Sequence, residues 1–124
     1  MQRFIQFLLQ FRYNSDCNLK SGVLYMKNFS GLHLQPTTLA WIKAIGFKTP
    51  TPIQEAVIAE ILQGNDVVGI SRTGSGKTHA YLIPVMDKVD PADDHIQAVI
   101  TAATRELAMQ IYEQAKSMLQ FKKN

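Results

Sequence analysis

The residues with the clearest chemistry are two glycines, a lysine and a threonine that follow a short apolar run. The run, at 67–70, is rich in β-branched side chains, which is typical of a strand buried on both faces. Gly74 and Gly76 permit positive φ, so the loop can turn its backbone N–H groups inward around a polyphosphate. Lys77 offers a positive charge to the β- and γ-phosphates, and Thr78 offers a hydroxyl to Mg²⁺. The stretch SRTGSGKT therefore predicts a phosphate-binding loop between a strand and a helix.

A simpler interpretation is a solvated Gly-Ser turn followed by an unrelated lysine. The strict pattern G-x-x-x-x-G-K-[ST] has glycine where this chain has Ser71, which departs from a generic phosphate loop. The Gly-Lys-Thr spacing, with a strand signal before it and a helix signal after it, nevertheless favours nucleotide binding.

Composition indicates a single small globular domain. The chain has 124 residues, 46% of them hydrophobic and 19% charged, with a net charge of +3. Cys17 is the only cysteine, so no internal disulfide can form, and the three histidines do not have zinc-ligand spacing. These features fit a reducing cytoplasm.

Residues 1–25 have no clear period and are interpreted as an extension, which leaves 26–124 as the domain. Their opening stretch, MQRFIQFLLQF, is apolar but too short and too interrupted by glutamine to cross a membrane. Met26 is an alternative start.

Two helices are predicted before the phosphate loop. Apolar residues recur at helical spacing from Pro36, and Gly46 follows where a helix C-cap is wanted. A second helix begins after Thr51, an N-cap residue, and Gln54 stands where it would complete a capping box. Gly64 ends this pattern ahead of the strand.

Two further helices and a second strand are predicted after the loop. One helix runs to about Val89 and is kinked at Pro84, and a short buried strand follows at 96–100. Thr104 then caps an amphipathic helix. Two strands joined by a helical crossover imply parallel pairing, and hence an α/β fold. The apolar stripe of the last helix comprises Leu107, Ala108, Ile111, Ala115, Met118 and Leu119.

Three stretches in this order resemble the amino-terminal part of DEAD-box ATP-dependent RNA helicases. They are GFKTPTPIQ at 46–54, SRTGSGKT at 71–78 and ATRELA at 103–108. That family typically has A-x-T-G-S-G-K-T in the second stretch, so Ser71 is a mild variant there. It has P-T-R-E-L-A in the third, from which Ala103 departs. The resemblance covers 29–110 and implies a partial RecA-like P-loop NTPase domain with parallel strands and crossover helices.

The resemblance also implies a site for ATP and Mg²⁺. Gln54 would pair with the edge of adenine, Phe29 would stack on the base, and Phe47 lies at the family spacing. Each has a plainer alternative, because Gln54 also suits a capping box and Phe29 could be an ordinary packed residue. Thr78 would be the Mg²⁺ ligand. The residues expected around the phosphates are Thr73, Gly74, Ser75, Gly76, Lys77 and Thr78.

RNA is the second partner that the resemblance implies. Thr104 and Arg105 would contact the RNA backbone from a helix N-terminus, and their plainer role is an N-cap beside a solvated arginine. No catalytic residue is assigned, because the sequence contains neither D-E-A-D nor S-A-T and no second RecA-like domain.

The chain is accordingly interpreted as the ATP-binding and RNA-contacting amino-terminal portion of such a helicase, truncated before its catalytic acid. The alternative is a non-catalytic nucleotide- or RNA-binding module, or an inactive truncated product. In the family, later strands lie between the two predicted here. Both are therefore expected to lack partners and to expose apolar edges.

Overall fold

The computed structural model describes residues 28–123, and these fold into helices joined by short turns and two longer irregular segments. The predicted extension at 1–25 and the alternative start at Met26 lie outside the described residues. Within residues 28–123, a short 3-10 helix at Phe29–Leu32 precedes four α-helices. These are α1 (Pro36–Ala44), α2 (Pro52–Leu62), α3 (Lys77–Lys88) and α4 (Arg105–Lys123).

The helix boundaries follow local capping chemistry, as the sequence predicts. Gly46, just past the end of α1, has φ of 84°, a left-handed conformation that favours glycine. At the start of α2, both hydrogen bonds of the capping box are formed between Thr51 and Gln54. At the start of α4, the Thr104 hydroxyl accepts a hydrogen bond from the Leu107 backbone N–H at 3.2 Å. The predicted helices and their N-caps are thus confirmed.

The hydrophobic core lies mainly where α2 packs along α3, with α1 and α4 closing it. Fully buried side chains from these helices fill it, among them Trp41, Ile58, Ile61, Leu82, Ile83 and Pro84. Pro84 lies inside α3, as predicted, and is buried there, whereas the kink at this residue stays a prediction. On α4, Ile111 and Met118 are buried, whereas Ala108 is exposed, so its assignment to the apolar stripe is wrong.

Hydrogen bonds around Asp87 connect the start of α1, the end of α3 and the end of α4. Its buried carboxylate accepts a hydrogen bond from the Gln35 backbone N–H at 2.9 Å, just before α1. The Lys122 ammonium on α4 donates to the Asp87 and Val89 carbonyl oxygens, at 2.6 and 2.7 Å, at the end of α3. A cation at a helix C-terminus satisfies carbonyl groups that have no partner within the helix. Burial lowers the pKa of Lys122, and the nearby Asp87 opposes that effect.

The two predicted strands are not formed, and the part of the chain that the structure describes contains no β-strand. The segments at 65–72 and 96–102 run as irregular chain. A strand needs a hydrogen-bonded neighbour, and neither segment pairs with the other. The parallel sheet and the α/β class therefore stay a prediction.

Apolar side chains of both irregular segments face solvent, as expected for strands without partners. Val68 is 68% exposed, Ile96 is 75% exposed and Val99 is 61% exposed.

None of the helices in residues 28–123 is long and apolar enough to cross a membrane.

Candidate functional site

The glycine-rich loop has the backbone conformation that the sequence predicts. Gly74 and Gly76 have φ of 79° and 86°, both in the left-handed region. Gly76 is the N-cap of α3 and, having no side chain, provides no side-chain cap to that helix. The N-terminus of a helix carries a positive partial charge, which favours an anion at this position.

Gly76 lies so close to α2 that no side chain fits there. A Cβ atom on Gly76 would be 2.6 Å from Nε2 of Gln54 and 3.1 Å from Oγ1 of Thr51. Next to it, the buried Oγ of Ser75 has no hydrogen-bond partner among the described residues. An unsatisfied hydroxyl beside uncapped N–H groups fits a phosphate oxygen as the missing acceptor.

Lys77 lies across the loop. It is half-buried, and its Nζ donates a hydrogen bond to the Ser71 carbonyl oxygen at the other end of the turn. The ammonium is thus held against the start of the loop, on the same chain segment as the N-terminus of α3. The charge and the donors together suit a polyphosphate chain.

Thr78, the predicted Mg²⁺ ligand, lies in the first turn of α3 and is half-buried. Its side chain is hydrogen-bonded to the phenol of Tyr81, one turn further along the helix. Burial raises the pKa of Tyr81, and the hydrogen bond with Thr78 offsets part of that rise. Sequence reasoning missed Tyr81, although its i+3 spacing from Thr78 was a usable signal.

Gln54 fulfils its plainer predicted role and also contacts the phosphate loop. Its Oε1 accepts a hydrogen bond from the Thr51 backbone N–H at 3.0 Å, and the Gln54 backbone N–H donates to Oγ1 of Thr51 at 3.4 Å. Its Nε2 donates to the Gly76 carbonyl oxygen at 3.3 Å. Gln54 is only 2% exposed. The start of α2 and the start of α3 are therefore joined through one buried amide.

The two aromatic residues predicted at the adenine site are in contact with each other. The rings of Phe29 and Phe47 are stacked, with centroids 6.4 Å apart and planes inclined by 19°. Phe29 is buried, at 3% exposed, which matches its plainer role as a packed residue, whereas Phe47 is half-buried.

His79 joins this aromatic group, which the sequence did not indicate. Its ring lies 4.9 Å from the Phe47 ring in an edge-to-face arrangement and 6.0 Å from the Trp41 ring. Burial lowers the pKa of His79. Because His79 directly follows the Lys-Thr pair, the aromatic group is attached to the first turn of α3.

The residues predicted to contact RNA lie on a different helix from the loop. Thr104 is the N-cap of α4, and Arg105 is exposed in its first turn. The plainer interpretation, an N-cap beside a solvated arginine, is thus present in the structure.

A glycine-rich turn that opens a helix with Lys-Thr defines the class of P-loop nucleotide-binding proteins. A family model for the DEAD/DEAH box helicase matches residues 51–124. The chain belongs to the DEAD/DEAH box helicase family.

Curated relatives support this assignment. Over 92 residues the chain is 48% identical to the DEAD-box ATP-dependent RNA helicase CshB of Bacillus subtilis. These aligned residues make up 74% of this chain and 21% of that relative. The chain is 46% identical over 90 residues to the ATP-dependent RNA helicase DBP8 of Pyricularia oryzae, covering 73% of this chain and 16% of the relative. The chain thus spans about a fifth of the length of these relatives.

Solved structures agree in fold. A DEAD box protein from the hyperthermophile Methanococcus jannaschii matches with a TM-score of 0.71 and 38% identity, covering 77% of this chain and 26% of that one. The RNA helicase Prp28 from Chaetomium thermophilum, bound to ADP, matches with a TM-score of 0.68 and 36% identity, covering 82% of this chain and 26% of that one. Both neighbours are consistent with a RecA-like fold.

Proposed function

We propose that this chain is the ATP-binding and RNA-contacting amino-terminal portion of a DEAD-box ATP-dependent RNA helicase of the cytoplasm. The observation that carries the proposal is the uncapped N-terminus of α3, reached through a loop with glycines at φ of 79° and 86°. Lys77 folds over this loop and supplies the charge that a triphosphate needs.

The phosphates are held by the loop, and each group has a separate task. The N–H groups at the start of α3 and the Ser75 hydroxyl donate hydrogen bonds to phosphate oxygens, with Thr73 completing the loop. Lys77 neutralises charge on the β- and γ-phosphates, and Thr78 provides an oxygen ligand for Mg²⁺. When bound, Mg²⁺ neutralises much of the remaining phosphate charge.

The adenine base is read by Gln54 beside the Phe29–Phe47 pair. A glutamine amide has two N–H donors and an oxygen with two lone pairs. One N–H and one lone pair of Gln54 are engaged with Gly76 and Thr51, so one of each is left for the donor–acceptor edge of adenine. The similar Prp28 helicase has ADP bound in its crystal structure, which supports an adenine nucleotide as the ligand of this chain.

The RNA backbone is contacted from the start of α4. The Thr104 hydroxyl accepts the capping bond from Leu107 and keeps its O–H as a donor. Arg105 is exposed beside it, so a guanidinium, a hydroxyl and a helix N-terminus can meet one RNA phosphate.

Nucleotide titration of the 124-residue chain tests the proposal. Lys77→Ala should abolish binding of ATP and GTP alike, because both carry the same triphosphate. Gln54→Ala should mainly remove the preference for ATP over GTP, because only the base differs. Lys43→Ala, which removes an exposed lysine on α1, is the matched control. Equal affinity of the unmutated chain for ATP and GTP would refute the adenine assignment.

A second candidate is a module that binds nucleotide or RNA without turnover. The observation that favours it is the lack of a D-E-A-D sequence among the 124 residues. Without an acid that orders Mg²⁺ and water, phosphoryl transfer lacks part of its usual constellation. A phosphate-release assay on this polypeptide, with and without RNA, separates the two, since the module would bind ATP and release no phosphate above background.

A further inference from the structure

We propose that one exposed face of α4 binds single-stranded RNA, with an aromatic ring stacked on a base and cations placed at the neighbouring phosphates. We call it the outer face of α4, and it comprises Arg105, Met109, Tyr112, Lys116 and Lys123. The inference rests on the proposed RNA contact at the start of α4 and extends that contact along the helix.

The five residues of the outer face lie in a row along the helix. Their spacings of four, three, four and seven positions place them on one side of an α-helix. All five are exposed, whereas Ile111 and Met118 on the opposite side are buried in the core. At 1.5 Å per residue the row is about 27 Å long, and a stacked strand has a phosphate about every 3.4 Å. The outer face is therefore long enough to contact several successive nucleotides.

Two large apolar side chains lie on this face, where an amphipathic helix normally has polar residues. Met109 is 51% exposed and Tyr112 is 55% exposed. The Lys116 ammonium lies over the Tyr112 ring, 5.9 Å from its centre. Because the lysine stem is flexible, the ammonium can move to a phosphate when a base stacks on the ring. An exposed ring beside a cation is the combination that single-stranded nucleic acids require.

The charge of the outer face favours a polyanion as its occupant. Three of its five residues are cations and none is an acid, and the two acids of α4, Glu106 and Glu113, lie to one side by helical rotation. An apolar partner would bury Arg105 and Lys116 without counter-charges, which is costly, whereas an RNA backbone supplies them. Stacking also requires an unpaired base, so a single strand fits better than a duplex.

Fluorescence anisotropy with a labelled oligouridylate of about 12 nucleotides, longer than the outer face, measures the affinity of the 124-residue chain. Uridine is chosen because adenine could enter the proposed ATP site instead. Tyr112→Leu should weaken binding by at least about 5-fold, because one stacked base is lost, whereas Tyr112→Phe keeps the ring and should keep the affinity. The affinity for a duplex of the same length should be the same with Tyr112→Leu as without it, because paired bases are not open to stacking.

The salt dependence of binding tests the cations by a measurement that a purely structural role would not change. Each phosphate contact to a single strand contributes about 0.7 to the slope of log K against log salt concentration, so Lys116→Gln should reduce that slope by about 0.7. Lys43→Gln, which removes an exposed lysine on α1, is the matched control and should change neither the slope nor the affinity.

The outcomes separate this inference from the proposed function. Unchanged oligouridylate affinity in Tyr112→Leu, or an unchanged slope in Lys116→Gln, would overturn the inference; weaker binding by Arg105→Ala would then still support the RNA contact at the start of α4. Equal effects of Lys116→Gln and Lys43→Gln would show that only overall charge matters and would also overturn it. An unmutated chain without affinity for oligouridylate would overturn the proposed RNA contact as well.

Discussion

The close approach of Gly76 to Gln54 predicts that Gly76→Ala destabilises the chain much more than the same change at Gly74. The two glycines have nearly the same φ, 86° and 79°. A Cβ at Gly74 would have no atom within 4 Å, whereas a Cβ at Gly76 would be 2.6 Å from Nε2 of Gln54. The pair therefore separates the cost of the backbone conformation from the cost of the contact.

The magnitudes can be worked out from these contacts. An alanine held in the left-handed region costs about 1–2 kcal/mol, and this applies at both positions. At Gly76 the new methyl also displaces the Gln54 amide, whose hydrogen bond to the Gly76 carbonyl is worth about 0.5–1.5 kcal/mol. Gln54 is buried and its Oε1 is held by Thr51, so it cannot swing into solvent without breaking the capping box, at a further cost of about 1 kcal/mol. We expect Gly76→Ala to cost about 2.5–4.5 kcal/mol, against about 1–2 kcal/mol for Gly74→Ala.

Guanidinium denaturation followed by circular dichroism measures both free energies of unfolding. The double variant Gln54→Ala/Gly76→Ala provides an internal check, because the shorter side chain at 54 removes the clash. It should therefore be less destabilised than the sum of the two single changes. Equal destabilisation by Gly74→Ala and Gly76→Ala would refute the reasoning, because the contact with α2 would then add nothing to the loss in free energy of unfolding.

Three further predictions address the caps, the aromatic group and the irregular segments. Thr104→Ala should lower the free energy of unfolding by about 1 kcal/mol through loss of the α4 N-cap, and Thr104→Asn, which can still cap, should restore most of it. Burial lowers the pKa of His79 from 6.5, so the folded state binds its proton less readily than the unfolded state. Stability should therefore be greatest above that value and fall as the pH drops below it, and His79→Leu should show a shallower fall in denaturation series between about pH 7.5 and pH 5.5. Val99→Lys should reduce aggregation measured by light scattering, because it places a charge on an exposed apolar segment. Slow amide hydrogen exchange across 96–101 in the unmutated chain would contradict the view that this segment lacks partners.

The helices could be predicted from the sequence because the interactions that define their ends are local. Thr51 caps α2 through Gln54, and Thr104 caps α4 through Leu107, three residues away in each case. Gly46 ends α1 by its own backbone conformation. None of these features depends on what the rest of the chain does, so residue type and spacing are sufficient to indicate them.

Strand formation could not be predicted from local residues in the same way, because a strand requires hydrogen bonds to a neighbouring strand. The segments at 67–70 and 96–100 have the residue types that are typical of buried strands. Within residues 28–123, however, neither segment has a hydrogen-bonded neighbour strand, and Ile96 and Val99 lie in solvent. Local preference alone does not compensate for the missing backbone hydrogen bonds of a ladder.

The motif indicates which residues would form the candidate site, but it does not indicate the contacts that they make. The loop, Lys77 and Thr78 follow from the motif, but the position of His79 between Phe47 and Trp41 depends on how α1 and α3 pack. Contacts of that kind join residues more than thirty positions apart, and no periodicity in the sequence indicates them.

Gln54 shows why the two interpretations of one residue need not exclude each other. Capping of α2 uses its Oε1, and contact with the loop uses one hydrogen of its Nε2. The remaining lone pair and N–H are chemically sufficient for a base edge, so a bound adenine would not have to break the capping box. Because the same amide donates a hydrogen bond to the Gly76 carbonyl oxygen at the N-cap of α3, Gln54 connects the start of α2 to the residue that precedes Lys77. Base recognition and phosphate binding would then share one rigid connection, and its stiffness comes from the burial of a side chain that is only 2% exposed.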